Sequence, residues 1–145
     1  MAILTNRAAD NRDRGIDTAL LILRLVLGIL ILLHGISKLP QPPTFIVDML
    51  AQHSLPAVLA YGAYVGEIVA PILLIIGVWT RLAAILIVIN MIFAVLLAHT
   101  GQLFSIGKTG GYALELQAMY LFTAIALAFT GAGRLSVGGR YGPLN

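Results

Sequence analysis

TALLILRLVLGILILLHGIS, residues 18–37, is an apolar run broken by one permanent charge, Arg24. A helix of this length rises roughly 30 Å, the thickness of a bilayer's hydrocarbon. Three further runs of the same character follow, at about 56–78, 82–98 and 112–130. A backbone in lipid must satisfy its own N–H and C=O groups, so the runs are read as helices. Of 145 residues, 59% are hydrophobic and 10% charged; a soluble domain carries about 25% charged residues. A chain this short cannot hide so much apolar surface in one core facing water. The expected fold is all-α, a transmembrane four-helix bundle.

The connections suit that reading. Pro40, Pro42, Pro43 and Pro56 exclude one continuous helix through 39–55, and Thr44–Gln52 can form a short interfacial helix with Phe45, Ile46, Met49 and Leu50 on one face. Trp79-Thr80-Arg81 makes a tight turn with an interface anchor, and the glycines and Lys108 mark 100–111 as a loop. The expected organisation is a polar segment over 1–17, a helical domain over 18–130 and a Gly-rich tail over 131–145. Arg7, Arg12 and Arg14 before the first run imitate a signal peptide, but no small-x-small site follows, so the run is read as an uncleaved anchor. With both termini and the Arg81 turn on one side, that side holds Arg7, Arg12, Arg14, Arg81, Arg134 and Arg140, and the other holds Lys38 and Lys108. The positive-inside rule then places both termini in the cytoplasm. The chain has no cysteine, which excludes disulfides and thiolate sites, and no basic run that would suit nucleic acid. The partner implied by composition is the lipid bilayer.

Ionisable residues inside apolar helices are costly and therefore informative. Counted from the ends of their runs, Arg24 and Glu67 both fall near the midplane, and they are expected to pair. Two readings stand for the pair: a proton or substrate site, and a clamp that fixes helix register. Pro71, four residues after Glu67, cannot donate to the Glu67 carbonyl, so a kink is expected there, with carboxylate and freed carbonyl at one depth. Arg24, Gly28, Ile31, Gly35 and Lys38 share one helical stripe, which should face the bundle. His34, Lys38, His99 and Glu115, with Gln117, fall in the outer third, a set able to hold a quinone headgroup. His and carboxylate are also metal ligand types, but no short ligand spacing such as H-x-x-x-H is present, and no metal site is assigned. Asn90 is read as interhelical glue; His99 lies about 180° from it round an ideal helix, so both face inward only if the helix ends at His99.

The order Arg24-Leu25 with Gly28, His34-Gly35-x-x-Lys38, Gly66-Glu67, Gly77-x-x-Thr80-Arg81, Ala98-His99, Gly110-Gly111-Tyr112-x-x-Glu115 and Gly131-Ala132-Gly133-Arg134-x-Ser136 resembles the DoxX family over about residues 20–136. That family commonly continues its Gly-x-Gly-Arg segment as Ser-Leu-Asp, where this chain reads Ser136-Val137-Gly138. The resemblance implies a four-helix protein of the bacterial inner membrane, described as oxidoreductase-like, with relatives that include a subunit of a thiosulfate:quinone oxidoreductase. Three functions are weighed. In the first, a small subunit of a redox system binds quinone: Glu67 and Glu115 handle protons, Arg24 orients Glu67, and His34, Lys38 and His99 contact the headgroup. In the second, the chain is a non-catalytic assembly or stabilising subunit with a membrane-protein partner. In the third, a homo-oligomer passes a small solute through the break at Glu67 and Pro71.

Overall fold

Helix α1 runs from Ala2 to Lys38, so the polar N-terminal segment is helical and continuous with the first apolar run. An i,i+4 pair, Asp10 to Arg14 at 2.9 Å, supports the polar part. The helix stops at Leu39-Pro40, because a residue before proline is pushed out of the helical region. The computed structural model describes residues 2–40, 43–108 and 110–145, with side chains from residue 10 onward. Pro42 and the side chain of Arg7, both used in the sequence reading, lie outside the described residues.

Helix α2, Thr44–Gln52, buries Leu50 against the bundle. The second apolar run forms a composite helix: a 3₁₀ turn over Ala57–Leu59, α3 over Ala60–Tyr64, a π-helical turn over Val65–Val69, and α4 over Ala70–Ile76. It ends at Gly77, whose φ of 76° permits the amides of Gly77 and Val78 both to donate to the Leu73 carbonyl. Helix α5, Thr80–Ala98, follows directly, and α6 spans Glu115–Thr130. The last helix starts three residues later than the apolar run suggests. Tyr112 is drawn into an antiparallel bridge with Ile106, and Gly107 N–H donates to Gly111 O at 2.7 Å, which keeps the chain extended there.

Among the described residues three helices are long and apolar enough to cross a membrane, over Asp10–Lys38, Ala57–Ile76 and Thr80–Ala98; α6 is apolar but shorter. All four segments feed one core: Leu27 and Ile31 from α1, Leu74 from α4, Ala84 and Ile87 from α5, Ala124 and Leu127 from α6. Small residues on α5 and α6 permit the close approach that binds helices in lipid. The outer surface is apolar as well, with Ile22, Leu33, Val69, Ile85, Phe122 and Phe129 among the exposed side chains. Water does not tolerate a belt of that extent, whereas lipid does.

The segment after α6 folds back on the core. Asn145, 6% exposed, lies against the α4–α5 turn. Its side-chain oxygen accepts from Thr80 N at 3.0 Å and its amide donates to Gly77 O at 3.1 Å. Arg81 N donates to Leu144 O at 2.9 Å, and Gly138 N to Gly77 O at 3.0 Å. At the same end Asp17, also buried, accepts from Arg134 N at 2.9 Å, and Asp13 meets the Arg134 guanidinium at 2.8 Å.

Candidate functional site

Glu67 sits in the middle of the π-helical turn. Pro71 has no N–H for the Glu67 carbonyl, and its ring would collide with that carbonyl in a regular helix. Widening the preceding turn, with Ala70 N–H donating to Val65 O five residues back, removes the collision. The expected disturbance at Pro71 therefore takes the form of a π turn centred on Glu67. α1 packs directly on it: a Cβ added at Gly35 would run into the Glu67 carbonyl and would stand 2.8 Å from Ile68 Cγ1. Gly28, two stripe positions earlier, faces Pro71 and Ile75 in the same way.

The Glu67 carboxylate, almost fully buried, meets Lys38 Nζ at 2.7 Å and accepts from Asn90 Nδ2 at 3.4 Å, both on Oε1. Its second oxygen, Oε2, is buried with no hydrogen-bond partner among the described residues, and so is Nδ1 of His99. Both groups border a cavity of about 700 Å³. Its walls are mostly apolar, from Ile31 on α1, Phe45 and Met49 on α2, Tyr64 on α3, and Phe93 and Leu97 on α5. Its charged, imidazole and amide groups are His34, Lys38, Glu67, Asn90, His99 and Gln117, and Ser37, Tyr64 and Tyr120 add hydroxyls. Asn90 and His99 both reach it because α5 ends at Ala98 and His99 departs from helical geometry with φ −131°. Among the described residues no group of three or more His, Cys, Asp or Glu is placed to hold a metal ion.

Two members of the expected set stand elsewhere. Arg24 does not pair with Glu67. It is buried at the opposite end and, among the described residues, donates only to backbone carbonyls: Leu74 O at 3.0 Å, Ala132 O at 2.6 Å, Leu135 O at 3.2 Å and Ile75 O at 3.4 Å. Those carbonyls close α4 and follow α6, where helices leave acceptors unpaired and carry partial negative charge. A Cβ at Gly77 would stand 2.7 Å from Arg24 Nη2, so the glycine makes room for the guanidinium. The expected pairing fails on helix stagger. Gly35, not Arg24, is level with Glu67, and eleven residues of α1 separate the two by roughly 16 Å. The composite helix reaches about 10 Å beyond the end of α1, so counting each residue from its own end put them at one depth. Glu115 is the second departure. It is exposed in the first turn of α6, beside Gly111, and does not line the cavity, while Gln117 does. Conversely, the sequence reading named Asn90 only as glue, yet it touches the carboxylate; its amide at midplane depth was the available signal.

Residues 19–100 match the DoxX family model. An uncharacterized protein of Haemophilus influenzae is 32% identical over 122 residues, covering 82% of this chain and 87% of that protein. A Bacillus subtilis protein named "Putative oxidoreductase CatD" is 27% identical over 125 residues, covering 86% and 88%. No solved structure matches the chain.

Proposed function

The chain belongs to the DoxX family of membrane proteins, and from that premise we propose that it is a small subunit of a quinone-linked redox system in the bacterial inner membrane. One observation carries the reading: a buried carboxylate with an unpartnered oxygen, held by Lys38 and Asn90 in an apolar cavity at membrane depth. Such a group is expensive in lipid and is kept where it does work. The oxidoreductase name of the Bacillus relative points the same way.

The residues present suit a quinone. Its headgroup needs a few hydrogen-bonding partners and an apolar enclosure, and its tail needs an opening toward lipid. His99 Nδ1 and Glu67 Oε2 are buried polar atoms without partners, and aromatic and aliphatic side chains form the rest of the wall. A bound quinone would supply a two-electron, two-proton carrier. The chain's part is to orient the headgroup through His99, His34 and Asn90, to exclude water by means of α2, and to hold or release a proton at Glu67 Oε2. Arg24 and Glu115 have no part in this scheme.

In the proposed arrangement all four apolar segments cross the bilayer. α6, at about 24 Å of rise, does so with its flanking turns or with local thinning. Arg12, Arg14, Arg81, Arg134 and Arg140 gather at the end that carries both termini, and Lys38 and Lys108 at the other, which supports cytoplasmic termini. The test is to purify the protein in mild detergent, extract bound small molecules and quantify quinone. The expected result is near-stoichiometric quinone, lost in Glu67→Gln and in Asn90→Leu. A quinone-free preparation that retains a tight protein partner would instead favour the non-catalytic subunit.

A further inference from the structure

We propose that Glu67 exchanges its proton with only one face of the membrane, the face on which Lys38 and α2 lie, and that Lys38 is the positioning residue that keeps the carboxylate ionised between exchanges. The inference rests on reading Glu67 as the proton-handling group of the cavity.

The surroundings of Glu67 are polar in one direction only. Toward α2, the Lys38 side chain pairs with a carboxylate that is 7% exposed while remaining 39% exposed itself. It thus links the buried oxygen to water through a flexible stem. Protonation of Glu67 removes the charge that holds the ammonium, which is then free to move outward; loss of the proton draws it back. The other cavity groups that can exchange or share a proton, Ser37 and His34 from α1, Tyr64 from α3, Asn90 and His99 from α5 and its end, and Gln117 and Tyr120 from α6, lie around the same space.

Toward the termini the path is closed. Leu27, Ile31, Leu74, Ile87 and Leu127 are each no more than 2% exposed and fill the layer below Glu67. Seven residues separate Glu67 from Leu74, roughly 10 Å of helix, and the five buried side chains named carry no polar atom. Behind this layer stands the Arg24 guanidinium, which donates to four carbonyls. A fixed positive charge there raises the barrier to a proton further.

The chain contains no cysteine, so single-cysteine variants can be made in the natural background. Full-length Ala63→Cys and Ala94→Cys place a thiol on the cavity wall, and Leu27→Cys places one in the apolar layer. In sealed vesicles of opposite orientation, a charged membrane-impermeant thiosulfonate should label the two wall positions at least about tenfold faster from the Lys38 face. Leu27→Cys should stay unlabelled from either face. Equal rates from both faces, or faster labelling from the face of the termini, would overturn the proposal. The role of Lys38 has its own readout, which does not depend on the cysteine variants folding. An apolar carbodiimide adds to a protonated carboxyl, so Lys38→Met should modify Glu67 several-fold faster and Lys38→Arg should restore the slow rate, with Glu67→Gln as the unreactive control. Unchanged modification in Lys38→Met would remove Lys38 from the scheme. Two-sided labelling in a preparation that retains quinone refutes the inference and leaves the redox reading standing. One-sided labelling without quinone refutes the redox reading alone.

Discussion

Replacing Arg24 by Ala should destabilise the protein strongly, and the loss should be independent of Glu67. The guanidinium donates to four carbonyls. Taking the average of about 0.6 kcal/mol measured for polar contacts between membrane helices, four contacts set a floor near 2 kcal/mol. The bonds at 2.6 and 3.0 Å are the shortest of these charge-assisted contacts; at roughly 1.5–2 kcal/mol each they raise the figure toward 5 kcal/mol. The expected loss is therefore about 2–5 kcal/mol. Arg24→Lys should recover only part of it, because a point charge on a flexible stem cannot reach the ends of two helices together. The single tryptophan, Trp79, lies in the turn that these contacts brace, so its fluorescence in a denaturing-detergent titration reports the transition. Glu67→Gln, roughly 16 Å away along α1, should add its own smaller effect, and the double variant should equal the sum within about 0.5 kcal/mol. A loss below about 1 kcal/mol for Arg24→Ala, or a coupling above that size between Arg24 and Glu67, would refute the capping role and revive direct pairing.

Gly35→Val should cost about 1–3 kcal/mol and release bound quinone, because the clash is with the Glu67 backbone, which cannot swing away; an unchanged melting temperature with quinone retained would count against the close approach. Asn145→Ala should lower stability by about 1–3 kcal/mol and shift Trp79 emission, since Thr80 N and Gly77 O would both lose a buried partner; the same titration checks it, and an unaltered midpoint is the contrary result. Asp13→Ala should cost less than about 1 kcal/mol and respond to salt, its pair with Arg134 being partly exposed at both ends; a larger, salt-insensitive loss measured in high and low salt would show that the pair is more enclosed than its exposure indicates.

What the sequence made legible followed from solvent and periodicity. The segments were readable because lipid leaves an apolar run no other form, and the inward stripe of α1 because glycines at helical spacing carry a packing meaning. His34, Lys38, His99 and Gln117 share a cavity as expected, since depth from a helix end is a local quantity. The Arg24 error has a different origin. Whether two residues on different helices meet depends on the offset between helix ends, and the loop from Leu39 to Leu55 sets that offset without encoding it in any spacing. The latch formed by Asn145 was missed for a related reason. A Gly-rich tail shows no periodicity, and its anchoring depends on left-handed backbone at Gly77 and Trp79 at the far end of another helix.

The two ends of the molecule differ in how completely their polar groups are satisfied, and that difference bears on function more than any single residue does. At the end carrying the termini, Arg24 and Asn145 direct their donors to carbonyls, and Asp17 accepts from the Arg134 backbone and faces its side chain at 3.6 Å. Thr80 Oγ1 is buried there without a partner among the described residues, but it does not line the cavity, so this end has little to offer a ligand. At the cavity end the ion pair is made, yet Glu67 Oε2 and His99 Nδ1 remain without partners beside a space of about 700 Å³. A protein selected only to hold its helices together would lose nothing by replacing Glu67 and Lys38 with apolar residues, and would gain by removing a buried carboxylate. Glu67→Leu combined with Lys38→Leu therefore separates the two roles. A protein that becomes at least as stable while losing its quinone places the pair in function, whereas equal losses of stability and ligand would make it a structural clamp.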